Sequence, residues 1–143
     1  NVSEGRGTAD PFALIGAPYI DAEQLAECMN SARLSGVAFL PSSFTPCERK
    51  YQGVLCHGVK ILLTDAHCCK PVTVGVTLLD RIRALWPKDF AFLPPTETFG
   101  RPPIDLLSGS DKLRLGQSAA EWLYQSQASC QAFAARSLPY HRY

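Results

Sequence analysis

The sequence predicts an α+β domain, a small mixed β-sheet packed with about three main helices in a single domain. Two observations carry that expectation. Short apolar runs punctuated by glycine or proline stand at residues 12–17, 37–40 and 59–63, the lengths and boundaries of strands. Longer segments around them keep helical spacing, so the order reads strand, helix, strand, strand, helix, loop, helices. The 143 residues are enough to bury one core. No Gly-x-Gly-x-x-Gly follows a strand, which argues against a doubly wound dinucleotide fold.

Taken in order, residues 12–17 form the first strand, closed by Pro18. Asp21 caps a helix, with Gln24 completing a capping-box pattern. Ala22, Leu25, Ala26, Met29 and Ala32 share one face, and Gly36 is expected to stop the helix. Residues 37–40 form a buried strand ended by Pro41. Residues 42–52 read as a loop holding Pro46, Cys47 and the charged cluster Glu48-Arg49-Lys50. Val59 to Leu63 is β-branched and leucine-rich, as in a central strand, and Gly58 suggests a bulge. Pro71 suits the first turn of a helix over 72–86, whose length decides against a strand. Residues 89–103 form a long loop rich in proline and aromatics, with room for a short strand at 90–93. Short helices or turns follow at 104–109 and 110–115. Ser118 and Glu121 form a capping box that opens a helix to about Arg136, with Trp122, Leu123, Cys130, Phe133 and Ala134 inward and the aromatic tail to Tyr143 docked.

Composition excludes several functions. The net charge of +1 gives no electrostatic basis for binding nucleic acid or an anionic membrane. No apolar run approaches the ~20 residues of a membrane span. The six cysteines fit no small secreted disulfide framework. Cys28 and Cys130 fall in helical patterns, as small apolar groups do, while Cys47, Cys56, Cys68 and Cys69 leave one bridge open. His57, His67, Cys56, Cys68, Cys69 and Asp65 are zinc-type ligands without zinc-type spacing, so no metal is expected. There is no nucleophile elbow and no P-loop. Trp86, Phe90, Phe92 and Phe99 suit either a sugar-stacking platform or a satellite core under the proline-rich loop.

The opening stretch, Asn1-Val2-Ser3-Glu4-Gly5-Arg6-Gly7-Thr8, has the build of a functional loop. Gly5 and Gly7 space a carboxylate from a guanidinium and allow close backbone approach. Ser3 and Thr8 add hydroxyls. Among the thirteen carboxylates, Glu4 is the one expected to face a ligand. Asp21 and Glu121 read as caps; Asp65 and Asp105 are second choices for the ligand-facing carboxylate and read first as turn or cap residues. The competing reading is a structural Glu4–Arg6 pair that holds the loop.

This octet, with Pro11-Phe12 and Gly16-Ala17-Pro18 after it, resembles the motif that opens the C-terminal domain in the exo-β-N-acetylmuramidase (NamZ) family of bacterial cell-wall enzymes. The resemblance continues through Gly36-Val37-Ala38-Phe39, Gly53, Cys56, Gly58-Val59, Thr64-Asp65, Pro71, the 105–109 element, and Phe133, Arg136, Tyr140 and Tyr143. It departs where Leu40 and Leu62 stand in place of Arg and His. The resemblance implies that residues 1–143 are the C-terminal domain of a two-domain protein whose N-terminal Rossmann-like domain is absent here. It implies hydrolysis of terminal β-linked N-acetylmuramic acid from the non-reducing end of peptidoglycan fragments, without a cofactor, in a cleft shared with that domain. Glu4 would be catalytic, and Ser3, Arg6 and Thr8 would bind substrate, Arg6 by the lactyl carboxylate. The partners implied are the protein's own N-terminal domain and a muropeptide or other muramic-acid glycan. The isolated chain is expected to be inactive or nearly so, and the parent protein periplasmic or secreted. The alternatives are a non-catalytic module that binds glycan or packs against its neighbour, and a metal or redox protein built on the cysteines.

Overall fold

The computed structural model describes residues 1–98 and 100–142. The expectations placed on Phe99 and Tyr143 lie outside the described residues. The chain divides into two compact units, Asn1–Leu93 and Pro94–Tyr143.

The first unit is built on a three-stranded sheet: β1 (Leu14–Ala17), β2 (Val37–Phe44) and β3 (Cys56–Leu63), with α1 (Ala22–Ser31) between β1 and β2 and α2 (Pro71–Leu85) after β3. The α+β class is as the sequence predicts. The spatial order is β1-β3-β2, and both pairings are antiparallel. β1 and β2 do run parallel, as a strand–helix–strand connection requires, but β3 inserts between them, so no parallel pair forms and the sheet is not mixed.

Register explains two departures from the sequence reading. Pro41 does not end its strand; β2 continues to Phe44, with Pro41 opposite Val59. β2 is an edge strand, where a residue without N–H is tolerated. Gly58 is no bulge, since it pairs in unbroken register with Gly16 on one side and Ser42 on the other. A Cβ at Gly58 would lie 2.6 Å from the Gly16 Cα and press into the Ile15 carbonyl. This glycine is therefore required by how closely β1 approaches. Residues 90–93 form no strand; they are extended and irregular.

Asp21 caps α1 as expected, its Oδ1 accepting from the Gln24 N–H at 2.9 Å. The helix ends at Ser31, short of Gly36. Its exit is fixed by Arg33 at φ 49° and by Asn30, whose side chain bonds the Phe39 N–H at 3.0 Å and the Phe39 carbonyl at 2.8 Å. Asp21→Ala is expected to lower unfolding stability by about 1 kcal/mol, read as a shift of the denaturation midpoint at unchanged slope.

One sheet face carries the main core. Leu25, Ala26 and Met29 of α1 and Val74, Leu78 and Ile82 of α2 bury against Ala17, Phe39 and Val59. Trp86 and Phe90 pack on that core, and Phe90 meets Phe92 edge-to-face at 5.0 Å. On the opposite face Leu14, Phe44 and Cys56 form a smaller cluster. Tyr51 packs on that cluster, and Leu40 on the same face is exposed.

The second unit holds α3 (Pro103–Ser108) and α4 (Ala119–Ser137), followed by a single 3₁₀ turn. Residues 110–115 form a turn rather than a helix. The Ser118–Glu121 capping box is present. Of the inward face expected of α4, Trp122 and Leu123 are half-buried, whereas Cys130, Phe133 and Ala134 are exposed, and Tyr140 of the tail is 80% exposed. Helical spacing defines a stripe but does not supply the surface that buries it.

Candidate functional site

The N-terminal loop is held against β1. Ser3 and Gly16 exchange backbone hydrogen bonds at 2.8 and 3.1 Å, a one-residue bridge that extends the sheet and sets Glu4 beside its edge. Gly5 and Gly7 have φ 69° and 74°, where a side chain is strained. Their open faces are filled by the protein itself: a Cβ at Gly5 would meet Leu14, and one at Gly7 would meet the backbone of Cys47 and Glu48. The close approach these glycines permit is between two loops.

Ser3 is buried and its Oγ accepts from the Gly5 N–H at 3.2 Å. Thr8 Oγ1 donates to the Gly5 carbonyl at 2.6 Å and accepts from the Asp10 N–H at 3.3 Å. Both hydroxyls expected to meet a substrate are thus engaged with the loop's own backbone. Glu4 and Arg6 are brought together, Oε1 to Nε at 2.9 Å. The second oxygen of Glu4 meets Lys50 Nζ at 2.5 Å. Burial alone would raise the Glu4 carboxyl. The Lys50 hydrogen bond, a backbone N–H and the charges of Lys50 and Arg6 outweigh burial and hold it below the ordinary glutamate value.

Arg6 points outward, its side chain 47% exposed. Its guanidinium carbon stands 5.0 Å from the centre of the Phe12 ring, within cation–π range. Phe12 is itself 60% exposed and adopts φ 66°, an uncommon conformation for an aromatic residue. Among the described residues the two terminal nitrogens of Arg6 have no hydrogen-bonding partner.

Lys50 and Phe12 are the residues that sequence reading missed. Lys50 is 46 positions from Glu4, and no local pattern connects them. Phe12 reads as the start of a strand. Asn1 also has a role the sequence did not signal. Its amide donates to the Asp89 carbonyl at 2.6 Å and accepts from the Ala91 N–H at 2.8 Å and the Tyr19 hydroxyl at 3.1 Å. Tyr51 donates to the Asn1 carbonyl at 2.8 Å. Burial, with the charges of Tyr51 and Asp89, pushes the Tyr19 phenol up to about 12, so it remains a donor at any ordinary pH.

The remaining candidates have local roles. Asp65 Oδ1 accepts from the His67 N–H at 2.8 Å, a turn contact. Asp105 takes Arg114 in a two-point grip at 2.7–3.1 Å. All six cysteines are free thiols, so the bridge left open by the sequence does not form. Among the described residues no three His, Cys, Asp or Glu side chains are grouped to hold a metal ion. Among the described residues no helix is long and apolar enough to cross a membrane.

The α+β scaffold thus presents an ionised carboxylate between two cations, one of them an outward guanidinium stacked on an aromatic ring. The chain belongs to the family described as the C-terminal domain of exo-β-N-acetylmuramidase NamZ, whose model matches residues 1–143. It is 50% identical over 93 residues, 65% of this chain, to the peptidoglycan β-N-acetylmuramidase NamZ of Bacillus subtilis strain 168, of which it spans 22%. Its fold is similar to the crystal structure of a DUF1343 family protein from Bacteroides fragilis NCTC 9343. The TM-score is 0.83 at 26% identity, over 99% of this chain and 38% of that one.

Proposed function

We propose that this chain is the C-terminal domain of a two-domain peptidoglycan hydrolase that releases N-acetylmuramic acid from the non-reducing end of cell-wall fragments. In this reading its N-terminal loop forms one wall of a cleft shared with an upstream domain, and the parent protein works in the periplasm or outside the cell. The observation that carries the reading is the Arg6 guanidinium. It is stacked on Phe12, anchored through Nε on Glu4, and open at both outer nitrogens. That fork matches a carboxylate at two points, and muramic acid differs from glucosamine by a lactyl carboxylate.

Glycosidic cleavage uses two carboxyl groups roughly 5–9.5 Å apart, one a proton donor and the other ionised. Glu4, held ionised, suits the second role and opposes positive charge developing at the anomeric carbon. The proton donor would come from the upstream domain. Family membership and the B. subtilis relative support the reaction class.

Calorimetric titration of this chain with N-acetylmuramic acid and N-acetylglucosamine tests the reading. The acidic sugar is expected to bind about tenfold tighter, the worth of one charge-assisted hydrogen bond, and Arg6→Ala to erase the preference. Equal affinities, or a preference that survives Arg6→Ala, would overturn it.

A further inference from the structure

We infer that Lys50 is a positioning residue of this site: its ammonium holds Glu4 to a single nitrogen of Arg6, which leaves the outer guanidinium nitrogens open to a ligand carboxylate. The inference rests on the reading of Glu4 and Arg6 given above. A free arginine–carboxylate pair tends to close into a parallel two-point fork, as Arg114 and Asp105 do in this chain. Glu4 does not close on Arg6. One oxygen takes Arg6 Nε and the other is taken by Lys50. Without Lys50, that second oxygen would be free to turn onto the Arg6 fork and occupy one of the two outer nitrogens, which removes the open two-point face.

The segment carrying Lys50 is shaped for this contact. Arg49 and Tyr51, its two neighbours, have φ 66° and 58°, a conformation that non-glycine residues adopt only when the surroundings enforce it. The enforcing contacts are present. Cys47 N–H donates to the Gly7 carbonyl at 3.0 Å, Gly53 N–H to the Pro46 carbonyl at 2.8 Å, and Tyr51 Oη to the Asn1 carbonyl at 2.8 Å. Pro46 is fully buried beneath them. Two left-handed sites bracket one lysine, and that lysine reaches the Glu4 carboxylate of the opposite loop. The charged groups acting on Glu4 are Arg6 from its own loop and Lys50 from the facing segment.

Lys50→Met and Lys50→Arg in this chain test the inference by NMR without ligand and by titration with N-acetylmuramic acid. In Lys50→Met the Glu4 carboxyl is expected to titrate higher, toward the ordinary glutamate range. The Arg6 outer N–H protons should exchange more slowly as Glu4 closes on them, and affinity for the acidic sugar should fall about tenfold. Lys50→Arg should restore all three. Unchanged Arg6 exchange in Lys50→Met would overturn the inference, as would failure of Lys50→Arg to restore it. If the parent chain ignores the sugar while the Arg6 and Glu4 signals respond as described, the muramic-acid reading fails and the positioning role of Lys50 stands.

Discussion

Gly58→Ala is expected to unfold the first unit or leave it several kcal/mol less stable. The added methyl would sit 2.6 Å from the Gly16 Cα, with the Ile15 carbonyl closer still. Both obstacles are backbone of β1, so no side chain can rotate away; the strands must separate. The register that would be lost, Leu14 with Lys60 through Ala17 with His57, also presents the Ser3 bridge and the Glu4 loop. Overpacking of this kind costs about 1–3 kcal/mol even where side chains can yield, and a rigid backbone obstacle costs more. Gly75 is the control. It lies inside α2, and a methyl added there would have nothing within 4 Å, so Gly75→Ala should stabilise by about 1 kcal/mol through helix propensity. Urea denaturation of both variants checks the pair. A Gly58→Ala protein as stable as the parent would refute the close-approach account.

Glu4→Gln in the proposed two-domain hydrolase is expected to lower turnover about a thousandfold, the range of a lost catalytic carboxylate, with the fold retained. It should also change the acid response of this chain. Glu4 has a folded-state value below its ordinary 4.5. Such a group binds fewer protons folded than unfolded between those two values. Its contribution is complete above the ordinary value and is lost as pH falls through the folded one. Denaturation midpoints should therefore decline in that acid window in the parent chain and decline less in Glu4→Gln. A variant that keeps full turnover would remove Glu4 from the chemistry; an unaltered acid decline would mean that the ion pairs add nothing to folding.

Local physics made part of this molecule legible in its sequence. Asp21 and Ser118 announce helix starts because a capping side chain acts within three residues. Pro71 announces α2 because it fits only the first turn. Val59 to Leu63 reads as a central strand because β-branched and leucine side chains pack well on a pleated surface. The illegible parts all depend on neighbours distant in the chain. Pro41 looks like a strand end until β2 is known to lie at an edge. Gly58 looks like a bulge until Gly16 is placed beside it. The exposed stripe of α4 carries the same residues as a buried one. At the site, Glu4 and Arg6 were visible because two glycines frame them in one short motif. Lys50 and Phe12 were not, since a contact 46 residues away and a left-handed aromatic leave no periodic trace. The hydroxyls of Ser3 and Thr8 were legible as polar groups; that they close onto Gly5 follows only from the fold.

The middle position of β3 has a consequence for synthesis. While the chain emerges from the ribosome, β1 and β2 are two margins without a centre, because the partner strand of each is residues 56–63. α1 can wind early, but the sheet must wait until that segment is released, and the Glu4–Lys50 contact gains its platform at the same moment. Ribosome-stalled chains ending before Cys56 should therefore remain sensitive to protease across residues 1–45, and chains that clear Leu63 by a tunnel length should become resistant in one step.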